Sequence, residues 1–231
     1  MYPLLIGIAW GLGFILFQYF IKIENLNFPN PKTFAIYIFI LSWLGGKLLF
    51  IITARNYLEA DILVSSSLWL GGGFVFYGGF ILGLIGSIIY FNYYKIKIND
   101  LSFMPIIVSL GHGIGRIGCF FAGCCYGTHC DLPWSINLHG THRHPVQLYE
   151  SILLFILSFT LYKLWITGLR TKLITVYIVA YGIIRFILEF FRGDKIRGEI
   201  FYFSTSQWIS ISIVLLCTCF FLVMKKLCRS K

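Results

Sequence analysis

Apolar residues along this chain come in long runs separated by short polar connectors. The runs fall at 4–21, 34–53, 70–90, 103–121, 146–165, 174–191 and 206–224. About 20 predominantly apolar residues carry a helix across a bilayer, where the backbone must satisfy its own hydrogen bonds. The pattern predicts an all-α integral membrane protein with about seven spanning helices. No internal repeat, linker or second-domain boundary is visible, so residues 1–231 are expected to form one transmembrane domain. The third run is rich in glycine (Gly71, Gly72, Gly73, Gly78, Gly79, Gly83, Gly86). That suits close helix approach or an interrupted, cavity-lining helix.

Composition agrees: 58% of residues are hydrophobic and 12% charged, with a mean hydropathy of +0.82. A soluble core of this size would need far more polar surface. The net charge of +10 raises the question of nucleic acid. The basic residues sit in short connectors, however, with no basic stripe or stacking platform, so no nucleic acid partner is expected. They read instead as anchoring charge. With the C-terminus inside, inner connectors hold eleven Lys and Arg, and outer ones hold five (Arg55, Arg143, Arg192, Lys195, Arg197). The bias predicts N-terminus out and C-terminus in. Met1-Tyr2-Pro3 lacks a basic region and a cleavage site, and reads as the start of the first span.

The other cations, Lys47, Arg116 and Arg185, fall inside spans. Charge within the membrane is costly and marks function by default. Given the orientation, Lys47, Arg116, Glu150, Arg185 and Glu189 all lie in outer halves. Arg185 and Glu189 are spaced i, i+4 and share a helix face. One reading is an ion-pair network that only fastens helices. The favoured one is an outward-facing polar cavity with one cation in excess, suited to an anionic lipid headgroup, since arginine presents a planar fork to phosphate.

All five histidines and four of seven cysteines fall between residues 112 and 144, mostly in an outer Cys/His-rich loop near 124–145. Thiolate and imidazole are ligands of zinc and copper, but the spacing Cys119-x4-Cys124-Cys125-x4-Cys130 does not match paired CxxC ligation, and no metal is expected. A disulfide of Cys130 with Cys124 or Cys125 is a second reading, and free thiols in a tight turn a third. Arg116 could activate Cys119. Cys217, Cys219 and Cys228 read as packing residues.

From Gly115-Arg116-Ile117-Gly118-Cys119 through Cys124-Cys125-Tyr126-Gly127 the chain resembles the prolipoprotein diacylglyceryl transferase family, whose signature reads G-R-x-G-N-F-x-N-x-E-x-x-G. His144-Pro145-Val146-Gln147-Leu148-Tyr149-Glu150 is similar to that family's H-P-x-Q-L-Y-E segment. Residues 181–194 resemble its Y-G-x-x-R-F-x-x-E-F-F-R segment, and 204–208 the start of its last span. Gly45-Gly46-Lys47 and Tyr77-Gly78-Gly79 match more loosely.

The resemblance implies a bacterial inner-membrane enzyme with its cavity facing outward. It would transfer a diacylglyceryl group from phosphatidylglycerol to the lipobox cysteine of a prolipoprotein signal peptide, without a cofactor. Arg116 and Arg185 would hold the phosphate, Glu189 would orient Arg185, and Gly127 would close the signature turn. Lys47, Cys119, Gln147 and Glu150 would line the substrate site, and Tyr77 and His144 would stand at catalytic positions. The signature asparagines are Cys119 and Ala122 here, and the signature glutamate is Cys124. The histidine before the Gly-Gly pair is Tyr77, and a first-span tyrosine is Ile6. Cysteine reproduces neither an amide's donor–acceptor pair nor a carboxylate's charge. His112 and His144 are left as candidate bases. Other readings are a related transferase with a different acceptor, a non-catalytic binder of anionic lipid or signal segments, and a metal-binding or transport protein. A transporter would carry polar groups through both halves of the membrane.

Overall fold

The computed structural model describes residues 1–54, 75–138, 140–193, 199–200, 203–212 and 214–216. Its helices are α1 (Tyr2–Ile23), α2 (Pro31–Ala54), α3 (Phe76–Tyr94), α4 (Met104–Phe121), α5 (Val146–Ile166) and α6 (Leu173–Glu189). Two small antiparallel hairpins join them, β1 (Ile136–Leu138) with β2 (Thr141–Arg143), and β3 (Glu199–Ile200) with β4 (Phe203–Ser204). Five helical segments are long and apolar enough to cross a membrane: Pro3–Ile23, Pro31–Thr53, Met104–Phe121, Val146–Ile166 and Arg170–Glu189. Two shorter apolar helices, Gly78–Tyr94 and Thr205–Leu216, fall where the third and seventh runs were expected. The remainder of those runs, 70–74 and 217–224, lies outside the described residues. The protein is therefore a mostly helical membrane protein.

The chain divides into two compact units, Ile21–Asp100 and Met1–Phe20 with Leu101–Lys231. In the first, α2 packs on α3 through the glycines that the third run displayed. A Cβ at Gly78 would fall on the Gly45 carbonyl, and one at Gly45 on the Gly78 carbonyl, so the two backbones touch. Phe28 stacks on Tyr90 and meets Phe34 edge-on, and the Tyr90 hydroxyl donates to the Pro29 carbonyl at 2.5 Å. Lys47 on α2 is fully buried.

In the second unit α4 begins with Pro105 in its first turn, where a missing N–H costs nothing. Antiparallel α4 and α5 are joined by three serine hydroxyls that donate to the partner's backbone, each at 2.9 Å. They run from Ser109 to the Leu154 carbonyl, Ser151 to Gly113 and Ser158 to Ile106. Apolar burial drives no association in lipid, and such hydroxyl bridges are worth about 0.6 kcal/mol each there. Phe20 of α1 stacks on Phe103 and meets the edge of Trp165. This alternation brings the end of α4, the start of α5 and the end of α6 to one end of the unit.

Candidate active site

Glu150, in the first turns of α5, is 1% exposed and sits among cations. Its Oε1 lies 3.0 Å from Arg116 Nη2 of α4, and its Oε2 lies 3.7 Å from Arg185 Nη1 of α6. The Tyr181 hydroxyl donates to Oε1 at 3.2 Å, and His112 Nε2 stands 3.7 Å from the same atom. Arg185 pairs with Glu189 at 2.5 Å, as their i, i+4 spacing predicts, and its Nη2 also donates to Ser206 Oγ at 3.4 Å. Arg192 approaches Glu189 at 3.9 Å and is itself buried. The cluster thus holds three arginines against two carboxylates. Arg116 Nε and Arg185 Nη1 are buried with no hydrogen-bond acceptor among the described residues. Buried N–H groups are rarely left so, which marks them as places where an anion would be received.

Sequence reasoning placed Arg192 in an outer connector. Its membership of the cluster follows from the turn after α6, where the Arg192 N–H bonds the Glu189 carbonyl. His112, a candidate base, and Tyr181, which sequence reasoning gave no role, both reach Glu150; their i, i+4 spacing from Arg116 and Arg185 was the available clue. Lys47 belongs to the other compact unit. The side chain of Tyr77, together with His139, lies outside the described residues. His144 faces Tyr149, with Nδ1 3.3 Å from the hydroxyl, and the edge of Phe191.

The loop after α4 is knitted to its surroundings by backbone bonds. Gly127 N–H donates to the His144 carbonyl, Thr128 N–H to Phe191, and Gly193 N–H to Tyr126. A Cβ at Gly127 would stand 2.5 Å from the His144 oxygen and 2.8 Å from the Phe191 oxygen, so only glycine fits this crossing. Gln147 Nε2 donates to the Cys124 carbonyl at 2.6 Å and pins the loop from α5.

The same loop gathers thiols. Helix α4 ends in a left-handed Gly123 (φ 66). The Gly123 N–H returns to the Phe120 carbonyl, and the Cys124 N–H to Cys119. This paired return is the Schellman ending, which juxtaposes the side chains at its two outer positions, here Cys119 and Cys124. Cys125 is also left-handed (φ 61), which costs a non-glycine residue about 1 kcal/mol and turns its side chain back toward the other two. The three Sγ atoms lie within 4.8 Å of one another. No disulfide joins Cys119, Cys124, Cys125 or Cys130; all four are free thiols, which sets the disulfide reading aside for this structure. Hydrogen bonds from Cys119 and Cys124 hold the Cys125 thiol below the ordinary cysteine range, with help from Arg192 and Arg116, and the Cys124 thiol is pushed up correspondingly.

Comparison with known proteins gives these features a context. The profile described as "Prolipoprotein diacylglyceryl transferase" matches residues 1–223. A protein of Clostridium tetani named phosphatidylglycerol–prolipoprotein diacylglyceryl transferase is 39% identical over 187 residues, covering 75% of this chain and 72% of its own. A second enzyme of that name, from Clostridium perfringens, is 37% identical over 186 residues, covering 74% and 70%. One from Finegoldia magna is 30% identical over 220 residues and covers 93% of this chain and 86% of its own. On a profile match spanning almost every residue, with relatives aligned along most of both lengths, this chain belongs to the prolipoprotein diacylglyceryl transferase family.

Proposed function

We propose that this chain is a diacylglyceryl transferase that moves the group from phosphatidylglycerol to the thiol of a prolipoprotein's lipobox cysteine. The observation that carries the reading is the pair of unsatisfied buried N–H groups on Arg116 and Arg185, both anchored by Glu150. In the reaction the thiolate attacks the glyceryl carbon that bears the phosphate. The C–S bond forms, the C–O bond breaks, and glycerol phosphate leaves with the electron pair. Negative charge grows on the phosphate, and fixed guanidiniums in a water-poor site stabilise it more than they stabilise the substrate.

In this reading Arg116 and Arg185 clamp the phosphate, and Glu189 with Arg192 orients Arg185. Glu150 holds both clamp arginines, Gln147 and Gly127 fix the signature loop, and Cys119 lines the site. Either His112 or His144 takes the thiol proton. An apolar groove of about 360 Å³ lined by Leu16, Phe20, Ile106, Leu110, Phe155 and Phe159 suits an acyl chain. The five long helices and two shorter apolar ones support seven spans in one transmembrane domain. The Lys/Arg bias supports N-terminus out and C-terminus in, and an inner-membrane enzyme whose site and 124–145 loop face outward.

Complementation tests this. Depleting the native transferase of a bacterial host and supplying this chain restores lipidation of a model lipoprotein, seen as a gel shift. Failure with folded, inserted protein would reject this acceptor and favour a related transferase using another.

A further inference from the structure

We propose that Cys119, Cys124 and Cys125 form a three-thiolate zinc site whose fourth position receives the acceptor thiol. The inference rests on the transferase reading for the identity of that acceptor, and on geometry for the site itself. Three sulfurs within 4.8 Å of one another are close to what a tetrahedral ion requires. Zn–S bonds of about 2.3 Å set thiolates about 3.8 Å apart around the metal, so no sulfur need move by more than about 1 Å. Thiolates select soft or borderline ions, and no carboxylate or imidazole joins the three among the described residues.

The backbone holds the cluster in place. The Schellman ending of α4 brings Cys119 and Cys124 together, left-handed Cys125 returns the third sulfur, and Gln147 fixes the Cys124 carbonyl at 2.6 Å. Three protein ligands leave one position open, the arrangement of zinc sites that bind a reactant rather than merely staple a fold. Cys124 is exposed, so the open side is reachable. Zinc with three thiolates carries a net charge of −1, and −2 with a fourth. Arg116, in electrostatic reach of Cys119 and Cys125, and Arg192, in reach of Cys125, offset that charge.

The chemistry closes on the transfer reaction. On binding, the acceptor thiol gives its proton to the histidine base, and zinc holds the thiolate. The C–S bond to the glyceryl carbon forms as the C–O bond to phosphate breaks. The product is a neutral thioether, a much weaker ligand than a thiolate, and it leaves the metal.

The test begins with the metal content of full-length protein purified without chelator. About one zinc per chain is expected. Cys124→Ser and Cys119→Ser lose it, while Cys130→Ser, outside the cluster, keeps it. Cobalt-loaded protein shows thiolate-to-cobalt charge-transfer absorption, which shifts when a lipobox peptide is added and does not shift with the serine peptide. If Cys119→Ser does not fold, exposed Cys124→Ser and the cobalt spectrum of the unaltered chain still decide the matter. Zinc below about a tenth per chain with no cobalt bands overturns the site, as does a thiol titration showing a disulfide among the three. Copper in place of zinc, or a cobalt spectrum indifferent to the thiol peptide, overturns the acceptor role. Restored lipidation without zinc sinks this inference alone. Zinc and a thiol-dependent shift without lipidation sink the transferase reading and leave the metal site standing.

Discussion

Replacing Glu150 by glutamine removes the charge at the centre of the cluster while keeping its shape. Arg116 stands 3.0 Å and Arg185 3.7 Å from the two carboxylate oxygens. At an effective dielectric of about 20, those pairings are worth about 5.5 and about 4.5 kcal/mol before the cost of burying the charges. Net of desolvation, removing one partner of a buried pair costs about 3–5 kcal/mol. Glutamine keeps one oxygen for Arg116 or Tyr181 but turns an N–H toward Arg185, so the low end, about 3 kcal/mol, is expected. Spent in the transition state, that is roughly a hundredfold in rate. The assay uses purified protein in mixed micelles with a fluorescent phosphatidylglycerol analogue and a lipobox peptide, and resolves the thioether product by chromatography. A thermal melt of the same sample shows whether the fold has suffered. A double-mutant cycle with Arg116→Gln should be strongly non-additive, because the second change removes a partner already lost. Activity within about threefold of the unaltered protein, with an unchanged melt, would refute Glu150 as the anchor of the two arginines.

Three further outcomes follow from the same geometry. Arg185→Lys keeps the charge but not the fork that serves Glu150, Glu189 and Ser206, and should cost at least about tenfold in kcat/KM in that assay. Full activity would mean that a point charge suffices. Gly127→Ala places a methyl 2.5 Å from the His144 oxygen and should destabilise by about 2 kcal/mol, read as a lower melting temperature and lower folded yield. Gly78→Ala drives a methyl into the Gly45 carbonyl and should part α2 from α3 by a similar cost, read by crosslinking engineered cysteine pairs across the two helices.

The helices were legible in the chain because bilayer thickness imposes a length that hydropathy displays directly. The Arg185–Glu189 pair was legible too, since a helix turns spacing into adjacency. What hydropathy does not carry is adjacency created at helix ends. Arg192 joins Glu189 through a turn, and Tyr181 reaches Glu150 across 31 positions, a meeting that depends on how α5 and α6 are aligned. The thiols are the clearest case. Their spacing looks wrong for ligation if read as a ladder of paired cysteines. The convergence comes from two left-handed residues, Gly123 and Cys125, that fold the chain back on the end of α4. A glycine four residues after Cys119 and just before Cys124 was the available clue, because that is where a Schellman glycine falls.

The three serine bridges between α4 and α5 have a mechanical consequence. Each ends on a backbone carbonyl, so a slip of one residue, about 1.5 Å along the axis, would break all three at once. Arg116 and Glu150 therefore ride on a single rigid piece. The turn that follows α6 is tied to the loop after α4 by backbone bonds, Thr128 N–H to the Phe191 carbonyl and Gly193 N–H to the Tyr126 carbonyl, so Arg185 and Tyr181 reach Glu150 from a helix whose end is fixed. The helix ends that carry Arg116, Glu150 and Arg185 are accordingly held by bonds to the main chain, and the spacing of the two guanidiniums is set by the backbone rather than by the side chains that meet there.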